Sequence, residues 1–289
     1  MSGNLALASV ESKPDVRPLT SSGGAEIFGV DISQPQAPTT VAQLRQALLD
    51  HGVIFFREQK LEPESHKAFA RVFGEIVVNP VYGNVEGHPE IMPVVKEAGD
   101  KYNIGDTWHS DMTYMEVPPL GSILYARDVP EYGGDTLFAN MAMAYDNLPD
   151  TMKQMLEGRR ALHSDRFLTA RIDERNAGRS TQLRADRAGK EISAWHPIVR
   201  THDETGRKSL FVNFPFTWNI EGLSREESLP ILNFLYEHMT MPEFHCRFRW
   251  RKGSLAFWDN RAVVHYACND YHGKRREMHR ITIAGTRPR

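Results

Sequence analysis

Short runs of β-branched and aromatic residues, each bounded by turn residues, restrict the fold of this 289-residue chain more than any other feature. From residue 90 onward such runs lie at 90–95, 121–129, 135–140, 209–213, 244–250, 254–259 and 279–285. Paired prolines at 118–119 and paired glycines at 133–134 separate neighbouring runs. Many short strands with this punctuation are typical of a β-sandwich or a jelly roll. The sequence therefore predicts a mainly β protein.

Helices are predicted on the outside of this β structure, because apolar residues recur there at three- and four-residue spacing. The predicted helices begin at Thr39 or Thr40 and cover 63–74, 141–158 and 224–238. Strands are predicted beside the first two helices, at 24–33 and 53–58. The expected fold class is thus mainly β with flanking α-helices.

The charge balance and the hydropathy limit the partners of the chain. It has 35 Lys and Arg residues against 37 Asp and Glu residues, a net charge of −2. Nucleic-acid binding normally uses a basic field, so we expect no nucleic-acid partner. No apolar run approaches the roughly 20 residues of a membrane span, and the N-terminus lacks a signal-peptide pattern. Two cysteines cannot form a disulfide framework, so we expect a cytoplasmic protein with a small-molecule partner and no membrane.

One long segment interrupts the strand-rich part of the chain. Residues 164–195 are rich in Arg, Asp, Glu and Gly and have little apolar content. Such a segment is either a solvated surface loop or a mobile lid over an active site, since long loops in compact domains are often functional. We predict a single domain over 1–289, with the insert at about 164–195 as its lid.

A candidate metal site comes from residues that are far apart in the sequence. His109 and Asp111 are two positions apart on an extended segment, so their side chains point to the same face. A second histidine, His265, lies far downstream. Two imidazoles and one carboxylate on one face leave three positions open on an octahedral metal, as in the facial triad of non-haem Fe(II) oxygenases. Arg276, about one strand beyond His265, is placed to hold the far carboxylate of a keto acid bidentately.

Longer motifs carry a resemblance over nearly the whole chain. They include WHSDMTYMEVPP (108–119), GGDTLFAN (133–140), FRWRKGSLAFWDNRAVVHYACNDY (248–271) and RREMHRITIAG (275–285). With these motifs the chain resembles the taurine dioxygenase and chlorophenoxyacetate dioxygenase family of Fe(II)/2-oxoglutarate oxygenases. The resemblance implies a double-stranded β-helix core, a cupin-like jelly roll. It also implies Fe(II), 2-oxoglutarate and O2 as cofactor and co-substrates, and self-association as a dimer or tetramer.

The resemblance further implies roles for individual residues. Iron is held by His109, Asp111 and His265, and these ligands are the only catalytic side chains implied. The co-substrate 2-oxoglutarate is held by Arg276 and by the hydroxyl of Thr136 in the Gly-Gly-Asp-Thr segment.

Five residues are expected in the substrate pocket. Tyr82 and Arg280 match residues that face the substrate in the family. Asn79 and Gly105 depart from the taurine pattern, in which a histidine and an asparagine bind the small polar substrate. The absence of that histidine and that asparagine predicts a wider and less polar pocket, to which Met112 adds an adaptable apolar wall.

Arg280 determines the expected substrate class. It lies four residues beyond Arg276, an even offset, so both side chains point to the same face of a strand. Two inward cations require two anions, because an unpaired buried charge is costly. The predicted function is hydroxylation of a C–H of an organic anion bulkier than taurine, with release of succinate and CO2. An aryloxyalkanoate, an alkyl sulfonate or a sulfate ester fits this description.

Three alternatives stay open at this point. A larger natural-product substrate also fits an enlarged pocket of the same family. A zinc hydrolase uses a similar ligand set, but it leaves Arg276 and Thr136 without a role. A non-catalytic jelly-roll binding protein is the third alternative, against which the intact triad argues. The remaining strand-associated histidines and one tryptophan are predicted to be structural: His163, His196, His202 and Trp258.

Overall fold

The computed structural model describes residues 9–170 and 172–289. The strands are β1 (Asp15–Thr20), β2 (Gly23–Phe28), β3 (Val53–Phe56), β4 (Ile76–Val77), β5 (Met92–Lys96), β6 (Gly121–Asp128), β7 (Thr136–Asn140), β8 (Arg160–Ser164), β9 (Ser193–Pro197), β10 (Val199–Thr201), β11 (Lys208–Leu210), β12 (Thr217–Ile220), β13 (His245–Phe248), β14 (Leu255–Asp259), β15 (Val263–Ala267) and β16 (Arg276–Ile283). The helices are α1 (Pro38–His51), α2 (Pro63–Arg71), α3 (Met141–Asp146), α4 (Asp150–Leu156), α5 (Arg166–Thr169), α6 (Ile172–Asn176) and α7 (Arg225–Met239).

The strands form one large sheet and several small ones. The large sheet has the order β1-β2-β3-β14-β6-β16-β4, and β5 pairs with the first half of β16 while β4 pairs with its end. A second sheet, β13-β7-β15, faces it, and the smaller sheets β12-β8-β9 and β10-β11 accompany it. This two-sheet arrangement confirms the prediction of a jelly-roll core with flanking helices.

The core lies between the two sheets, because alternate side chains of each strand point into the space between them. Successive side chains of a strand point to opposite faces. In β14, Ala256 and Trp258 pack into the cluster shared with the β13-β7-β15 sheet, whereas Leu255 and Phe257 pack under α1 and α2. The large sheet is therefore covered on both faces, which leaves one end of the sandwich to carry the site.

Three local predictions were wrong at their boundaries. The first helix has Ala37 as its N-cap and begins at Pro38, not at Thr39 or Thr40, because proline is well suited to the first helical position. The helix predicted over 141–158 is two helices, α3 and α4, separated before Pro149, since proline cannot continue a helix. The strand predicted over 24–33 ends at Phe28, where Gly29 adopts a φ of 77°.

The insert at 164–195 is not without structure. It contains α5, α6 and a short 3-10 turn at Ala185–Arg187. Its low apolar content had predicted a loop, but hydrogen bonds to neighbouring segments hold these short helices in place. Over the described part of the chain, helices with the length and apolarity of a membrane span are absent.

Candidate active site

The backbone brings His109 and His265 together. His265 lies on β15, and the two residues exchange a pair of backbone hydrogen bonds, 3.0 and 2.8 Å long. Asp111 follows on the same segment as His109, and its side chain is 3% exposed. The predicted triad is thus assembled by one antiparallel contact between segments more than 150 residues apart.

The three side chains converge with their metal-binding atoms. Asp111 Oδ1 lies 3.6 Å from His109 Nε2 and 3.7 Å from His265 Nε2, and the three ligand atoms all fall within 4.8 Å of one another. His109 Nδ1 donates to the carbonyl of Thr107 at 2.7 Å, which leaves Nε2 as the free nitrogen. The geometry is that of a tridentate site on one face.

The protonation states also suit a cation. Burial lowers the pKa of His109 and the pKa of His265, so both imidazoles are neutral near pH 7. Burial alone would raise the pKa of Asp111, but the positive charge of Arg280 outweighs it, together with the hydrogen bond that Ser122 donates, and the pKa falls to about 2. Neutral imidazoles and an ionised carboxylate are the forms that bind metals.

Asn260 fixes the position of Asp111. Its Oδ1 accepts from the backbone N–H of Asp111 at 2.7 Å, and its Nδ2 donates to the carbonyl of the same residue at 2.9 Å. Ser122 donates to Asp111 Oδ2 at 2.9 Å. These contacts point Oδ1 towards the two histidines, so the donor set of two nitrogens and one oxygen fits a facial-triad metal.

One cavity runs from His265 towards Arg276. Arg276 is 4% exposed, and neither its Nε nor its Nη2 has a hydrogen-bond partner among the described residues. Thr136 accepts from Trp250 Nε1 at 2.9 Å, which leaves its hydroxyl hydrogen available to a carboxylate. Two buried, unpartnered donors on one guanidinium are suited to a carboxylate ligand.

Gly134 makes room for this guanidinium. Its φ is 71°, and a Cβ there would lie 3.2 Å from Arg276 Cδ and 3.2 Å from Tyr271 Cδ1. Gly105 is a comparable case beside the triad, with a φ of 86° and His109 Cε1 at 3.1 Å from a would-be Cβ. Both glycines are therefore required by backbone conformation and by a close approach.

A second cavity meets the first beside His109. It is lined by the residues predicted to contact the substrate: Asn79, Tyr82, Gly105, Met112 and Arg280. Asn79 uses its Oδ1 to accept from the backbone N–H groups of Val81 and Tyr82, and its Nδ2 donates to Met112 Sδ at 3.9 Å.

The comparisons with known proteins agree with this geometry. The profile described as "Taurine catabolism dioxygenase TauD, TfdA family" matches residues 15–282. The chain belongs to this family. An alkylsulfatase of Acinetobacter baylyi is 36% identical over 93% of this chain and 84% of that protein. An α-ketoglutarate-dependent sulfate ester dioxygenase of Pseudomonas putida is 35% identical, over 98% of this chain and 94% of that protein. The crystal structure of a taurine dioxygenase from Burkholderia xenovorans has a TM-score of 0.81 at 38% identity, covering 95% of this chain and 90% of that one.

Membership of the TauD/TfdA family establishes the reaction class. The chain is a 2-oxoglutarate-dependent dioxygenase that uses Fe(II) and O2. Its substrates are small molecules, in keeping with the names of its relatives.

One premise of the sequence argument needs correction. Arg280 was expected to be an unpaired inward cation, but its Nη2 lies 3.0 Å from Asp111 Oδ2. Its buried Nε lacks a hydrogen-bond partner among the residues that the structure describes. Arg280 therefore pairs with Asp111 and also lines the cavity.

Several lining residues were not predicted from the sequence. Tyr114 and Phe216 contact each other edge to face and form an aromatic wall, and Phe167 and Leu168 close the cavity from the insert. Met115 does not belong to this lining, and its carbonyl accepts from His196 Nε2. The only signal for these residues was the family motif around Tyr114, because aromatic residues also form ordinary cores.

The other histidines are structural, as predicted. His163 Nδ1 bonds Thr113 at 2.9 Å, and His202 Nε2 bonds Asp259 Oδ2 at 3.0 Å. Trp258 packs in the core and also lines the cavity beside Arg276.

Proposed function

We propose that this enzyme hydroxylates the carbon next to the heteroatom of an organic anion, with alkyl sulfate esters as the best-supported class. The observation that carries the proposal is Arg280, which lines the cavity that we assign to the substrate, beside Asp111 and among apolar residues, and whose buried Nε has no partner in the described residues. A guanidinium recognises a sulfate, sulfonate or carboxylate by charge-assisted hydrogen bonds. The names of the two relatives, an alkylsulfatase and a sulfate ester dioxygenase, support sulfate esters among these anions.

The ligand roles of individual residues are part of this proposal. His109, Asp111 and His265 hold Fe(II), and Asn260 and Ser122 keep the carboxylate oriented. Arg276 and Thr136 bind the far carboxylate of 2-oxoglutarate. Bound Fe(II) and 2-oxoglutarate supply the activation of O2, with release of succinate and CO2.

The remaining residues position the substrate and exclude water. Arg280 holds the anionic group, so the adjacent C–H lies near the triad rather than at the mouth. Tyr114, Phe216 and Met112 surround the chain with apolar surface, which favours an alkyl group over a small amino-sulfonate such as taurine.

Hydroxylation beside a sulfate ester leads to bond cleavage. One oxygen atom of O2 enters the substrate as a hydroxyl, and the other enters succinate. The hydroxylated carbon then bears two oxygens, its bond to the ester oxygen breaks, and sulfate leaves with the electron pair. The hydroxyl becomes an aldehyde carbonyl and its proton is released.

The test uses hexyl sulfate with the full chain, Fe(II), 2-oxoglutarate and O2. We expect equal amounts of succinate, inorganic sulfate and hexanal, and a strong loss of turnover in Arg280→Gln but not in Arg287→Gln, whose side chain is 70% exposed. Sulfate release without O2 or 2-oxoglutarate would indicate a hydrolase. Strong coupling to a neutral substrate that survives the loss of Arg280 would overturn the anionic assignment.

The assembly, the location and the lid also belong to this proposal. We infer that the enzyme is a cytoplasmic dimer or tetramer made of one domain. The insert 164–195 is its lid, a role supported by the position of Phe167 and Leu168 in the wall of the substrate cavity.

A further inference from the structure

The lining of the substrate cavity has more cationic than anionic side chains. Its charged lining residues are Arg175, Arg179, Arg280, Asp106 and Asp111. Arg280 pairs with Asp111, so Asp106 is the one carboxylate of this lining that remains for Arg175 and Arg179. Unpaired charge in a partly buried site is costly, so a bound ligand should supply the missing negative charges.

Arg175 and Arg179 come from the insert, on α6 and the turn that follows it. Arg175 Cζ lies 3.7 Å from the centroid of the Phe167 ring, and Arg179 Cζ lies 5.6 Å from that of Tyr102. In the described residues, no carboxylate lies within ion-pair distance of either guanidinium, and Arg179 Nε is buried without a hydrogen-bond partner. Both side chains thus rest on aromatic rings with donors to spare.

The guanidiniums of Arg175 and Arg179 lie close enough to influence each other and the same cavity residue, Tyr82. Burial and the neighbouring Arg179 both lower the pKa of Arg175, whereas Tyr82 and Asp106 raise it. Arg175, Arg179 and Arg280 also oppose the rise that burial causes in the pKa of Tyr82, another residue of the cavity lining. Two like charges held side by side are stabilised when an anion binds between them.

Hydrogen bonds fix the segment that carries these arginines. Asn176 Nδ2 donates to the carbonyl of Leu183 at 3.0 Å, and Asn176 Oδ1 accepts from its N–H at 2.8 Å. Thr181 accepts from the N–H of Val95 at 2.7 Å and donates to its carbonyl at 3.0 Å. Arg179 is therefore held over the cavity by contacts that do not involve its own side chain.

We propose that Arg175 and Arg179 form a second anion-binding site at the mouth, and that the substrate is an organic dianion. Resting on the proposed function, this inference places the sulfate or sulfonate at Arg280 and a second acidic group, such as a carboxylate, at the mouth. The aromatic and apolar wall between the two poles, with Tyr114 and Phe216, matches an apolar linker. The preferred substrate is thus an alkyl or aryl sulfate with a terminal carboxylate.

The experiment compares hexyl sulfate with 6-(sulfooxy)hexanoate, which adds only a terminal carboxylate. For the wild-type enzyme we expect a KM about ten- to a hundredfold lower for the dianion, since one charge-assisted hydrogen bond contributes that much. The double variant R175Q/R179Q should bring the ratio of the two KM values close to one. R184Q is the matched control, because Arg184 belongs to the same insert but pairs with Asp186 at 3.0 Å outside the cavity.

A second readout does not depend on turnover. Calorimetric titration of both sulfates under nitrogen, with Mn(II) and 2-oxoglutarate bound, should give the same selective loss of dianion affinity in R175Q/R179Q. Equal KM values for the two substrates in the wild type, or an equal loss for both in the variant, would overturn the second site. If no sulfate ester is turned over, the proposed function fails, while the calorimetric comparison still decides whether the mouth binds a second anion.

Discussion

Replacing Arg276 with methionine should remove 2-oxoglutarate binding without unfolding the protein. Arg276 presents two buried donors, Nε and Nη2, that have no partner within the described residues. Each charge-assisted hydrogen bond to a carboxylate contributes about 1.5–3 kcal/mol. Loss of both therefore weakens binding by about 3–6 kcal/mol, or two to four powers of ten in the dissociation constant.

The folded state should tolerate this substitution. Burial lowers the pKa of Arg276, which reflects the cost of keeping its charge out of water. A methionine of similar length removes that cost, so the free energy of unfolding of the ligand-free protein should fall by no more than about 1 kcal/mol. A large loss of 2-oxoglutarate affinity with a small change in the free energy of unfolding would therefore show that Arg276 serves binding rather than stability.

The assay is calorimetric titration with 2-oxoglutarate under nitrogen, with Mn(II) bound, together with chemical denaturation. The control is Arg275→Met, because Arg275 points to the opposite face and pairs with Glu97, Asp128 and Glu277. A dissociation constant for Arg276→Met within threefold of the wild type would refute the assignment of the co-substrate cavity. An equal effect of Arg275→Met would show that the loss is not specific to the anchor.

Three further predictions concern the scaffold around the site. Asn260→Ala should weaken Mn(II) binding by about ten- to a hundredfold, measured by equilibrium dialysis, because both hydrogen bonds to the backbone of Asp111 are lost. Asp259→Ala should lower the free energy of unfolding at pH 7 by about 3–5 kcal/mol in urea denaturation, because His202 and Arg261 lose a buried partner. Limited proteolysis within 164–195 should slow when Fe(II), 2-oxoglutarate and substrate are bound together, if the insert is a lid.

The stability effect of Asp259 has a defined pH dependence. Burial raises the pKa of Asp259, but Arg261 and His202 outweigh it and hold the pKa well below its usual range. A depressed carboxyl pKa contributes stability above the unfolded pKa of about 3.9, and that contribution is lost as the pH falls towards the folded value. The difference between wild type and Asp259→Ala should therefore shrink below about pH 4. A constant difference down to pH 2 would contradict this cause. Unchanged metal binding in Asn260→Ala would contradict the role of Asn260. Equal cleavage with and without ligands would contradict the lid role of the insert.

The sequence predicts the parts of the fold that depend on local pattern. The strand at 254–259 and the helix at 224–238 were found because their apolar residues repeat with the period of the element. β15, which carries His265, was not singled out as a strand, and neither were β8 and β9. Such strands are short or polar, and their pairing with distant segments, rather than their own pattern, defines them.

The candidate site, too, could be predicted from the sequence only in part. Spacing indicates that His109 and Asp111 share a face, but only the family resemblance connects them with His265, and only the structure shows the two backbone hydrogen bonds between the histidines. The even offset between Arg276 and Arg280 indicates that they share a face of the strand. It cannot reveal that Asp111 is the partner of Arg280. Arg175 was missed because tertiary hydrogen bonds, not an amphipathic pattern, place the insert over the cavity.

Fe(II) binding by His265→Ala is the measurement that tests the central claim most directly. Equilibrium dialysis under nitrogen should give one tightly bound Fe(II) per wild-type chain. In His265→Ala the affinity should fall by more than about a hundredfold, the upper end for loss of a residue that merely supports a ligand. His279→Gln is the control, since His279 lies on β16 with its Nε2 3.4 Å from Glu277 and is outside the triad. Fe(II) affinity in His265→Ala equal to that of the wild type would contradict the metal site and the account built on it.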